Sequence, residues 1–143
     1  MANKPIEIVE RPPTSKEHQL LWEAVGWGKY HAEMAEKSLA NSLYCLVVQS
    51  EGNAVGMGRI VGDGAMYFYI QDVAVLPEYQ GKRIGKQITD KLLAYIQNTC
   101  AGPAFVGLFA AQGKEKFYQR FGFMDHSPGM TGMFLVMEKA TSL

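Results

Sequence analysis

The stretch VAVLPEYQGKRIGKQITDKLLAYI, Val73 to Ile96, decides the fold. It reads as a buried strand that passes through a glycine-containing basic turn straight into an amphipathic helix. Ile84, Ile88, Leu92 and Ile96 fall on one stripe of that helix, with Asp90 and Lys91 outside it. The first N–H groups of a helix have no intrahelical acceptor and carry the positive end of the dipole, so such a junction suits a pyrophosphate. Gly81 and Gly85 let the backbone approach the oxygens, and Lys82, Arg83 and Lys86 add positive charge. The alternative is an ordinary solvated basic helix start.

Composition narrows the classes. At 143 residues the chain suits one domain with a real core. Its 14 basic and 14 acidic residues cancel, so no global field points to nucleic acid or a membrane surface. Lys82, Arg83 and Lys86 are also flanked by Glu78 and Asp90, which argues against a nucleic-acid interface. No apolar run approaches the roughly 20 residues of a membrane helix, and MANKPIEIVER is too polar for a secretory signal, so a cytoplasmic protein is expected. Cys45 and Cys100 lie in apolar contexts without metal-ligand spacing and read as reduced, packed thiols. His18, His31 and His126 form no ligand set, and no metal site is expected.

Along the chain, Pro5 to Glu10 reads as a first strand. Thr14 and Glu17 form a capping box ahead of a helix whose apolar face is Leu20, Leu21, Ala24 and Val25. Gly26-Trp27-Gly28 ends it, and a second helix spans roughly Tyr30 to Leu39. Leu43 to Gln49, Ala54 to Val61 and Ala65 to Leu76 are three hairpin-linked strands. A helix over Gln80 to Gln97 and a strand over Ala104 to Ala110 follow, the crossover making that strand a parallel neighbour of the one holding Val73. A short helix, Lys114 to Arg120, and a last strand, Met133 to Met137, complete the reading. The glycines of GMGRIVG, Gly56 to Gly62, are no dinucleotide fingerprint, because Val61 stands where the third glycine belongs and no helix follows. They read as bulges or close approaches within a strand.

Gln80 to Gly85 resembles motif A of the GNAT superfamily of acetyl-CoA-dependent N-acetyltransferases, Gln/Arg-x-x-Gly-x-Gly/Ala. Arg83 replaces the usual glycine at the fourth position. KFYQRFGF, Lys116 to Phe123, is similar to that family's motif B. The resemblance implies an α/β (α+β) fold formed by one domain over residues 1–143. Its mixed, mostly antiparallel sheet would be flanked by helices, and its central parallel strands would splay to hold acetyl-CoA. It further implies that the backbone of Val73, Ala74 and Val75 holds the pantetheine arm, that Gln80, Gly81, Lys82, Arg83, Ile84, Gly85 and Lys86 hold the pyrophosphate, and that Tyr118 is the general acid. Packing beside Phe117 and Phe121 is the alternative for Tyr118.

Asp72, beside the splayed strand, is the candidate general base, and Trp27 and Tyr30 are candidate walls for the acceptor. The expected activity is acetyl transfer from acetyl-CoA to a primary amine by direct attack. A looser likeness to plant-type arylalkylamine and protein-lysine acetyltransferases makes an arylalkylamine, a polyamine or a lysine the acceptor. A non-catalytic acyl-CoA sensor is the alternative. A homodimer through the apolar C-terminal strand is a further expectation.

Overall fold

The computed structural model describes residues 4–140. They divide into two compact units with the boundary between Leu108 and Phe109.

The first unit carries a five-stranded sheet in the order β1-β2-β3-β4-β5. Strands β1 (Glu7–Val9), β2 (Tyr44–Ser50), β3 (Asn53–Gly62) and β4 (Tyr67–Val75) are antiparallel in succession, and β5 (Phe105–Gly107) joins β4 in parallel. The mixed sheet is thus the one expected. The β2–β3 hairpin closes with Glu51 and Gly52 both at positive φ, 52° and 81°, as a two-residue loop whose twist matches the strands requires. Between β3 and β4, the Asp63 carboxylate accepts the backbone N–H groups of Ala65, Met66 and Tyr67.

Helices α1 (Ser15–Ala24) and α2 (Ala32–Ala40) lie between β1 and β2, and α3 (Ile84–Thr99) connects β4 to β5. The Thr14–Glu17 capping box is present in both directions. Leu20 is 53% exposed, and the buried stripe of α1 runs instead through His18 and Leu21. Neighbouring residues of β3 show how the helices are layered. Met57 packs with Leu21, Val47, Ala54 and Ala74 on the α1 face, whereas Gly58 meets α3 on the other. A Cβ at Gly58 would fall 2.6 Å from Ile88 and 3.1 Å from Leu92, so those glycines mark a close helix–strand approach. Ile84, Ile88, Leu92 and Ile96 are all buried, each contributing about 2 kcal/mol of burial.

The second unit holds α4 (Glu115–Gln119) and a turn in which Gly122 has φ 97°. The strand expected over Met133–Met137 is absent: these residues form no ladder among the described residues and are 72–85% exposed. Their β propensity is a preference for a pleated, half-buried surface, and without a paired edge it makes no strand.

Candidate active site

Pairing of β5 with β4 ends at Tyr69↔Gly107, yet β4 continues to Val75. From Ile70 onward β4 has no ladder on that side among the described residues, which leaves a gap in the pairing along that edge. The Leu76 N–H donates to Val55 O at 2.9 Å, toward β3. By alternation the Val75 backbone points into the gap, and its carbonyl accepts Gln80 Nε2 at 3.0 Å. Val73 follows the same alternation. Ala74 is paired with Met57, so of the three residues expected to hold the ligand arm its backbone is turned toward β3.

Below the gap the chain makes a 3-10 turn, Pro77–Tyr79, and then enters α3. The helix starts four residues later than its periodicity suggests, because Gly81 (φ 79°) and Arg83 (φ 64°) are left-handed. None of the backbone N–H groups from Gly81 to Lys86 finds an acceptor among the described residues. The first helical bond outside α3 is Gln87 N–H to Arg83 O. Unpaired donors at a helix start are the kind of group that can bind an anion. The left-handed Arg83 explains why glycine suits this position: only glycine adopts that conformation without steric cost. The Arg83 side chain is exposed. Lys82 Nζ lies 5.3 Å over the Tyr79 ring, and Lys86 pairs with Asp90 at 2.7 Å.

On the α1 face, a bulge between Met57 and Arg59 sets Asp72 at φ 55°. Its Oδ2 accepts Arg59 Nε at 2.7 Å and meets His18 Nε2 at 3.0 Å. The other ring nitrogen of His18 is 2.8 Å from Tyr30 Oη. Arg59 is fixed further by the Ser42 and Ser38 hydroxyls, both at 3.0 Å. Burial alone would raise the Asp72 carboxyl, but the His18 hydrogen bond and the charge and hydrogen bond of Arg59 outweigh it and hold the carboxyl below its ordinary value. Asp72 is therefore ionised but a poor direct base at neutral pH. Burial, followed by the charges of Asp72 and Glu36, raises the Tyr30 phenol.

Trp27 and Tyr30 each stand edge-on to Trp22, at 5.4 and 5.8 Å, and Trp27 also packs against the core. Trp22, Trp27 and Tyr30 thus form one aromatic cluster. Sequence reasoning passed over His18, Arg59 and Trp22. The signal for His18 was its place three residues before Leu21 on the buried stripe.

In the second unit Tyr118 lies 4.9 Å from Phe117 and 6.1 Å from Phe123, ring to ring, and burial raises its phenol. It is therefore protonated at neutral pH, as a general acid must be. Phe117 also contacts Phe121 at 5.3 Å. Among the described residues no group of three or more His, Cys, Asp or Glu could hold a metal ion. No described helix is long and apolar enough to cross a membrane.

The acetyltransferase (GNAT) domain pattern matches residues 41–125. The chain belongs to the GNAT family. It is accordingly an acetyl-CoA-dependent N-acetyltransferase, and the gap with its row of free N–H groups fits that donor. Among relatives, an uncharacterized N-acetyltransferase of Pyropia yezoensis is 30% identical over 122 residues, 82% of this chain and 69% of that protein. A histone acetyltransferase of Glycine max is 32% identical over 127 residues, 81% of this chain and 54% of that one. A crystal structure from Staphylococcus aureus, described as a probable acetyltransferase, shares 33% identity with a TM-score of 0.88. That match covers 93% of this chain and all of the other. The mixed sheet and flanking helices are the GNAT fold.

Proposed function

We propose that residues 1–143 act as one acetyltransferase domain that acetylates a primary amine by direct attack on acetyl-CoA. The observation that carries this reading is the arrangement of the two faces around the gap in the sheet. The free N–H groups leading into α3 offer an anion site for the donor. On the opposite face, Trp22, Trp27 and Tyr30 form an aromatic wall beside the ionised Asp72. A cationic amine is attracted both to aromatic faces and to such a carboxylate, so the acceptor approaches from the α1–α2 side. An arylalkylamine fits the wall best. A polyamine or a lysine side chain shares the ammonium group, and the similarity to a histone acetyltransferase supports lysine.

In this reading Val73 and Val75 hold the amide-bearing arm as an added strand, and residues Gly81 to Lys86 hold the pyrophosphate. Tyr118 protonates the departing thiolate. The amine nitrogen forms its bond to the acetyl carbon as the carbon–sulfur bond breaks. The test is thiol release from acetyl-CoA across tyramine, spermidine and a lysine-containing peptide. Turnover with any of them above the rate of hydrolysis supports the proposal. Tight CoA binding without turnover would favour an acyl-CoA sensor.

A further inference from the structure

Resting on that reading, we propose that Tyr30, His18 and Asp72 form a proton relay that deprotonates the acceptor amine, with His18 as the base and Tyr30 as the group that meets the substrate. The geometry fixes the direction. An ionised carboxylate oxygen only accepts hydrogen bonds, so His18 Nε2, 3.0 Å from Asp72 Oδ2, carries a proton. In the neutral ring Nδ1 is then the acceptor, and the Tyr30 hydroxyl at 2.8 Å donates to it. This leaves the Tyr30 oxygen with its lone pairs available to an incoming ammonium.

The proton balance closes without another reactant. The ammonium gives one proton to Tyr30 Oη while the Tyr30 proton passes to His18 Nδ1. The neutral amine is released for attack, Tyr30 remains a phenol, and His18 becomes an imidazolium. Asp72 from β4 faces the His18 ring directly, Arg59 from β3 meets Asp72, and the charge of Glu36 from α2 acts on the Tyr30 phenol. His18 is 2% exposed, so water cannot readily protonate it directly and Tyr30 is its route to the acceptor. Direct transfer to Asp72 is disfavoured because both of its hydrogen-bonded neighbours stabilise the ionised form.

The relay places a base on the acceptor face, across the sheet from α3, where it can act without contacting the donor. Its occurrence depends on residues from α1, the α1–α2 link and β4 meeting in one place, and no sequence motif joins them.

The test compares wild type, Tyr30→Phe and His18→Gln with the most active amine of the panel. At pH 7 either variant should lose about 100-fold or more in kcat/KM, within the range of a positioned base. The deficit should shrink about tenfold per pH unit as solvent supplies the free amine, while affinity for CoA stays unchanged. The double variant should be no slower than the slower single one, because a relay acts as a unit. A Tyr30→Phe enzyme with the wild-type pH profile and a rate within twofold overturns the relay but leaves the acetyltransferase reading standing. A wild type that binds CoA and acetylates no amine overturns both. Independently of turnover, the nitrogen-15 spectrum of the neutral His18 ring in the wild-type protein should show a protonated Nε2 and a bare Nδ1. The opposite tautomer overturns the proposal even if His18→Gln does not fold.

Discussion

Arg59 donates through Nε to Asp72 Oδ2 at 2.7 Å across the β3–β4 bulge, and both side chains are about nine-tenths buried, at 11% and 10% exposure. Removing one charge from such a pair leaves the other uncompensated. Asp72→Asn should therefore lower unfolding stability at pH 7 by about 3 kcal/mol, measured by urea titration. The folded carboxyl lies below its ordinary value. Its contribution is fully present above roughly pH 4 and is lost as pH falls through the folded value. The gap between wild type and variant should be flat from neutral pH down to about 5 and shrink below about 4. A gap that stays constant into strong acid would show that ionisation of Asp72 is not its source.

Free N–H groups at the start of α3 should make the native state respond to CoA. Binding to the native state alone contributes about 2.7 kcal/mol at a ligand concentration a hundred times Kd. The melting temperature should rise by several degrees with saturating CoA and less with pantetheine, which lacks the pyrophosphate. An unmoved melt at millimolar CoA would remove the donor from this turn.

Arg83 sits at φ 64° with its side chain exposed. Arg83→Gly relieves a left-handed residue worth about 1 kcal/mol, partly offset by a more flexible unfolded chain. CoA affinity should stay within about tenfold, or 1.4 kcal/mol, and the melt should not fall. Gly85→Val introduces a branched side chain among the free donors and should weaken CoA binding far more. Calorimetric titration of both variants decides the matter, and equal losses would contradict this account of the turn.

Tyr118→Phe removes only a hydroxyl. If that group protonates the thiolate, kcat should fall by about 10²–10⁴ while CoA affinity is kept. A phenol raised by burial is a weaker acid than a free one, so its effect comes from placement as charge develops on sulfur. Full activity would return Tyr118 to packing beside Phe117 and Phe123.

The homodimer expected from the sequence would have to form through the apolar run Met133–Met137, which is more than two-thirds exposed throughout. Sedimentation should find a dimer at micromolar concentration, and Phe134→Asp with Val136→Asp should shift it to monomer. A monomeric wild type would end that expectation.

Much of this could be read from local pattern. The Thr14–Glu17 box, the stripe Ile84, Ile88, Leu92 and Ile96, and the glycine hairpins each depend on residues within a few positions of one another. The order of strands followed because a helix of that length between two strands favours a parallel crossover. Boundaries were less legible: α3 was expected from Gln80 and begins at Ile84, since a left-handed Arg83 carries no mark in sequence.

By itself, then, the sequence determined the mixed sheet and the glycine-containing turn into α3, because both rest on periodicity and on local backbone geometry. Only the tertiary structure brought together the cluster proposed to meet the acceptor. His18 and Asp72 are 54 positions apart and meet because α1 packs over the β4 bulge. It also decided against a strand at Met133–Met137, since a strand is made by a partner's hydrogen bonds and β propensity alone cannot supply them.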